Sequence, residues 1–264
     1  MPMYSLEHKK YLQKLRFNKI MVLLTQLSIV FLFIIIWQLL ADFKIINTFI
    51  SSSPSKVLET LISLHKSGEM YNHIWVTVYE TLISFSLGTI MGLLIATLLW
   101  RFNFLAKVID PYLTIINSLP KVALGPIIII WCGANIKSII LMALLISVII
   151  TIVNIYQGFI DTDPLKVKLM KSFNASKKQI YFKLLLPNCF PIIISTLKIN
   201  ISMSLIGVIM GEFLVSKEGI GYLIMYGSQV FNLNLVITGI FILCVVATIM
   251  YYLVHFLEKK IVKT

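Results

Sequence analysis

Six apolar runs, each longer than twenty residues, constrain this chain more than any other feature: 20–41, 77–100, 105–131, 138–159, 186–214 and 235–257. About 20 apolar residues in helical form cross the hydrocarbon of a bilayer. In lipid there is no water for the backbone, so a span must satisfy its own peptide groups, as a helix does. The predicted fold class is all-α, a polytopic membrane protein with six transmembrane helices. Composition agrees, with 58% hydrophobic and 13% charged residues, against roughly 25% charged in a soluble domain.

Charge sets the expected orientation. The net charge is +12, but the cations sit in short segments beside apolar runs, so no nucleic-acid partner is implied. With the N-terminus inside, sixteen Lys and Arg fall in inside segments and five outside, while Lys121 and Lys198 lie within runs. That bias predicts both termini in the cytosol. Residues 1–19 read as a basic cytosolic N-terminus, and 20–264 as one membrane domain with a cytosolic loop at 161–185. The first run is too long for a signal peptide and has no small-residue cleavage site, so it is expected to be retained as a span. Cys132, Cys189 and Cys244 stand singly, and the four histidines have no ligand spacing, so neither a disulfide framework nor a metal site is expected.

Breakers and caps give the local detail. Pro120 and Pro126 interrupt the third run, and Pro187 and Pro191 open the fifth. Ser53 or Ser55 is placed to cap a helix starting near Pro54. Its apolar residues Val57, Leu58, Leu61, Ile62 and Leu64 predict an amphipathic helix on the outer membrane face. Within the loop, Asp163 and Pro164 start a helix over 165–173. Asn174 occupies the position where a left-handed residue ends that helix. Ser176 caps the next helix, which enters the fifth run at Pro187. Six lysines, Lys166, Lys168, Lys171, Lys177, Lys178 and Lys183, lie in this segment against Asp161 and Asp163. Such a basic helical pair suits docking to a partner, and equally a loop that only holds topology.

Small residues recur four apart at Gly88, Gly92 and Ala96, and again at Gly207 and Gly211, the spacing that lets helices approach closely. Glu212 and Lys198 are ionisable groups in or near a span and need a partner or water. Lys121 sits beside the Pro120 break. Both lysines can attract an anionic solute, or serve as structural partners for a carboxylate or for carbonyls freed by proline. Glu212 reads as a helix-end anchor. Gly219-Ile220-Gly221 lacks the third glycine and the strand of a dinucleotide fingerprint. No glycine is followed by lysine, so the chain has no Walker A motif and ATP hydrolysis cannot come from it.

Several segments together resemble the permeases of binding-protein-dependent ABC importers. That family's loop has the form E-A-A, three residues, Gly, nine residues, I-x-L-P. Here Asn174 falls at the Gly, Leu184 at the Ile, and Leu186-Pro187 at the L-P, while Lys168-Leu169-Met170 replaces E-A-A. S-L-P-K-V-A-L-G-P-I-I-I-I-W-C-G (118–133) is similar to the family's proline-broken third span, and G-E-F-L-V-S-K-E-G-I-G-Y-L-I (211–224) to its element after the fifth. S-P-S-K-V-L-E-T-L (53–61) and V-T-V-Y-E-T-L-I-S-F-S-L-G-T-I-M-G (76–92) extend the likeness over roughly residues 45–255.

The resemblance implies a pathway formed with a second permease copy, two ATP-binding cassette subunits on the cytosolic loops, and an extracytoplasmic substrate-binding protein. No cofactor is implied in this chain, since ATP is used by the partner ATPase. ATPase coupling falls to Leu165, Lys168, Leu169, Met170, Phe173, Asn174, Leu184, Leu186 and Pro187. Lys121, Lys198, Glu212, Gly219 and Gly221 are candidates for the translocation pathway. The likeness is to the branch carrying nitrate, sulfonates, taurine and thiamine-precursor pyrimidines, in a multi-pass cell-membrane protein that is not an enzyme. The alternative is a subunit of an ion-gradient-driven secondary transporter, which needs intramembrane acid or histidine relays.

Overall fold

Helix is the only element that can carry apolar runs through lipid, and helix is what forms. The computed structural model describes residues 6–262. The long helices are α1 (Leu6–Asp42), α4 (Glu69–Arg101), α7 (Ile136–Ile160), α10 (Leu186–Val215) and α12 (Leu233–Val262). Between them lie α2 (Thr48–Ser51), α3 (Pro54–Ser67), α5 (Asn103–Ser118), α6 (Gly125–Cys132), α8 (Pro164–Ser172), α9 (Lys177–Ile180) and α11 (Ile220–Gln229).

The third apolar run is not a straight span. Residue 119 precedes proline and is pushed to extended backbone (φ −69°, ψ 140°). A single 3₁₀ turn over Lys121–Leu124 follows, and α6 restarts with Pro126 in its first turn. The segment bends by 90°, so among the described residues the membrane helices number five, or six if the bent pair is one span. At about 1.5 Å per residue, neither half alone reaches across 30 Å of hydrocarbon.

The core is a three-helix junction of α4, α7 and α10. Both small-residue stripes turn toward α7: Gly88 and Gly92 meet Ser147 and Thr151, while Gly207 and Gly211 meet Ala143 and Ile139. Close helix packing is therefore what these glycines do. The helix that carries the fifth apolar run begins well before it, because α9 runs into α10 without a break. One wide turn at Tyr181–Leu185 joins them, where the Leu186 N–H bonds the Tyr181 carbonyl five residues back. The missing N–H of Pro187 favours such a bulge just ahead of it.

Two peripheral elements complete the frame. α3 begins as expected, with Ser53 accepting from the Lys56 N–H. Its apolar residues cover one broad face: Val57 and Leu64, at one edge, are buried against the bundle, while Leu58 and Ile62, at the other, lie exposed. α1 is exposed through its apolar length. It is tied near its end, where Gln38 accepts from the Ser55 N–H at 3.1 Å.

Candidate functional site

The loop between α7 and α10 is built from local capping chemistry. Asp163 caps α8 by accepting the Leu165 N–H at 2.8 Å, and Pro164 occupies the first turn. The helix closes at Ser172, with Asn174 left-handed at φ 54°. The Asn174 N–H donates to Lys171 O, and the Ala175 N–H to Met170 O. Those two bonds are the pattern of a left-handed helix stop, with asparagine in place of glycine. Ser176 and Gln179 then exchange bonds as a capping box at the start of α9. Every turn of this loop is thus specified by a neighbour in sequence.

The loop has two faces. Leu165 (70% exposed), Leu169 (57%) and Phe173 (74%) share the outer face, successive positions four residues apart. Lys166, Lys168 and Lys171 are exposed around them. Met170 faces the other way. It packs with Leu184 and Tyr181 against the buried cluster of Ile155, Phe159, Ile180 and Leu185, and so holds α8 to the bundle. Leu186 is half-buried and Pro187 exposed at the entrance to α10. The loop is bound to α4 as well, through a 2.8 Å hydrogen bond between the Thr97 and Tyr181 hydroxyls.

A second constellation lies where α10 turns into α11. Glu212 is buried and accepts from the Thr77 hydroxyl at 2.6 Å and from the Gly221 N–H at 2.5 Å. The Ile220 N–H donates to Thr77 Oγ1 at 2.8 Å, and the Gly219 N–H to His73 Nδ1 at 3.0 Å. Three successive orphan amides at the start of α11 are thereby satisfied by side chains from α4 and α10. Gly219 has φ +105°, and a side chain there would run into the Glu212 carboxyl. The anchoring role expected of Glu212 is thus given its partners.

The candidate pathway residues do not assemble. Glu212, Gly219 and Gly221 share the corner just described. Lys198 instead pairs with Glu258 at 2.5 Å, and His255 Nδ1 lies 2.8 Å from the same oxygen. The hydrogen bond from Lys198, aided by that from His255, holds the Glu258 carboxyl below its ordinary value. Lys121 donates to the Asn117 carbonyl at 2.9 Å, in the last turn before the proline break. Both lysines occupy the structural alternatives, a carboxylate and a freed carbonyl.

Sequence reasoning missed the interior of α4 and α10. Glu80 is 2% exposed and lies beside Glu212 in the interior. Toward the bundle centre, Asn200 donates to Thr89 Oγ1 at 2.7 Å. Glu80 Oε2, Ser84 Oγ, Asn200 Oδ1 and Ser204 Oγ are buried without a partner among the described residues. One signal for Glu80 was available: a carboxylate inside an apolar run is costly and marks an interior position.

Helices of this length and apolarity around a buried polar seam define a multi-pass membrane protein. Residues 88–263 match the family of binding-protein-dependent transport system inner membrane components, and the chain belongs to that family. It is thus an ABC importer permease, which displaces the ion-gradient alternative. A probable ABC transporter permease protein of Haemophilus influenzae is 29% identical over 91% of this chain and 97% of its own. A putative aliphatic sulfonates transport permease of Bacillus subtilis is 27% identical, covering 87% of this chain and 83% of its own. A formylaminopyrimidine transport permease of Halalkalibacterium halodurans is 27% identical over 71% and 74%. In fold, the chain is similar to an inward-facing MetNI methionine ABC transporter structure, with TM-score 0.65 and 17% identity over 75% of this chain and 96% of that one.

Proposed function

We propose that this chain and a second copy of it form the pathway of an importer, with α8 as the helix that docks each ATPase. The observation that carries this reading is the exposed Leu165, Leu169 and Phe173 face of α8, in a lysine-rich setting and with Met170 fastening its back. The sixteen-to-five bias of cations puts α8 in the cytosol, where ATP is used by the partner ATPase. On the opposite side, a substrate-binding protein delivers solute near the α10–α11 corner. Closure of the ATPase pair moves α8, and the continuous helix from Lys177 through Val215 carries that movement into the core as alternating access.

The solute is a small molecule of the class named for the relatives, a sulfonate-type anion or a vitamin precursor. Lys121 and Lys198 are engaged within the chain, so selection among these solutes rests with the binding protein. The test replaces Leu169 and Phe173 together by aspartate. Each large side chain that docks contributes roughly 1.5–3 kcal/mol. The variant should accumulate normally in membranes, since both positions are exposed, and lose ATPase copurification and uptake. Undiminished copurification refutes the docking face.

A further inference from the structure

A cavity of about 710 Å³ opens where α4 ends and the α9 segment begins. One wall is basic: Arg101, Lys177 and Lys178 are all exposed, and no acidic residue lines the cavity among the described residues. None of the three forms an ion pair among the described residues. The other wall is apolar and belongs to the ends of the spans. Leu98 and Phe182 are exposed there, and the Trp100 and Tyr181 rings lie 5.7 Å apart between the two walls. The wide turn at Tyr181–Leu185 shapes this wall, with Tyr181 against Phe159 and Phe182 turned outward. Wide turns of this kind are frequent at functional sites.

A cavity that grades from three cations through aromatic rings to exposed apolar side chains, at the level where the chain leaves the hydrocarbon, matches an amphiphile. A free phosphate makes no use of Leu98 and Phe182. A soluble protein surface leaves them to lipid as well. We propose that the cavity binds an anionic phospholipid, with Arg101, Lys177 and Lys178 around its phosphate and an acyl chain along Leu98 and Phe182. Basic pockets between membrane helices recognise anionic headgroups in this manner. The site follows from the membrane reading alone and holds whichever leaflet faces it. A lipid held there bridges α4 to the segment that leads from α8 into α10.

Trp100 gives a local readout. The full-length chain in detergent is titrated with brominated phosphatidylglycerol and, separately, with brominated phosphatidylcholine, and tryptophan quenching is followed. Phosphatidylglycerol should quench more, and the excess should vanish in Trp100→Phe. In Arg101→Gln/Lys177→Gln/Lys178→Gln its midpoint should shift tenfold or more, at roughly fivefold per cation removed. Arg101→Lys/Lys177→Arg/Lys178→Arg should keep the parent midpoint. If the neutral triple variant fails to fold, Lys177→Gln and Lys178→Gln singly supply the same readout, since both side chains are exposed. Equal quenching by the two lipids overturns the proposal, as does an unshifted midpoint in the neutral variants. Loss of the excess in millimolar inorganic phosphate at constant ionic strength assigns the site to free phosphate. Loss on adding the cognate ATPase assigns it to a protein interface, and either result also overturns the proposal.

Discussion

Replacing Glu212 by alanine removes the acceptor of two buried hydrogen bonds, from the Thr77 hydroxyl and from the Gly221 N–H. Each buried donor left without an acceptor costs about 1–3 kcal/mol, so the pair costs about 2–6 kcal/mol before any loss of packing. For a chain of this size one kcal/mol moves the melting temperature by about 2–4 °C, so the expected fall is on the order of 10 °C. Glu212→Gln provides an internal control. Its amide oxygen accepts from one donor, while its Nε2 confronts the other. Glutamine keeps one of the two bonds that alanine loses, so it should lose less than alanine does. The assay is thermal unfolding of the purified chain, followed by size exclusion in a mild detergent. An alanine variant that melts with the parent refutes the latch. A glutamine variant worse than alanine refutes the assignment of the bonds.

Two further outcomes follow from the packing. Gly207→Ala sets a methyl against the backbone of Ala143, whereas Gly88→Ala meets the hydroxyl of Ser147. A side chain can rotate aside and a helix backbone cannot. Gly207→Ala should lower the yield of folded protein by more than Gly88→Ala, with overpacking of about 1–3 kcal/mol; equal yields contradict the stated contacts. Lys198→Met and Glu258→Gln should each lower thermal stability, and the double variant should fall no further than either single one, since both remove one ion pair. Additive losses, or lost uptake with unchanged stability in Lys198→Met, would return Lys198 to the pathway.

What could be read from the sequence was what neighbours along the chain decide. The apolar runs mark membrane helices because lipid leaves the backbone no alternative. Asp163, Pro164, Asn174 and Ser176 mark the turns of the α8 loop because caps are satisfied within a few residues. Ser53 marks the start of α3 for the same reason. Even the close packing at Gly88 and Gly207 was legible, since a missing side chain shows in the sequence as plainly as a present one.

The tertiary structure decided which distant groups meet. Thr77 and Glu212 are 135 residues apart, and only the antiparallel packing of α4 and α10 makes them partners. The same holds for Lys198 and Glu258: a rise of 1.5 Å per residue locates a charge along its own helix, but not what a neighbouring helix brings to it. Met170 is apolar like Leu169, and nothing local separates their roles; the buried cluster behind α8 does. The 90° bend of the third run is intermediate. Pro120 announced a break, while its angle depends on what α5 and α6 pack against. Local hydrogen bonding and burial propensity are written in the sequence, but pairing across helices depends on their relative placement, which no single segment carries.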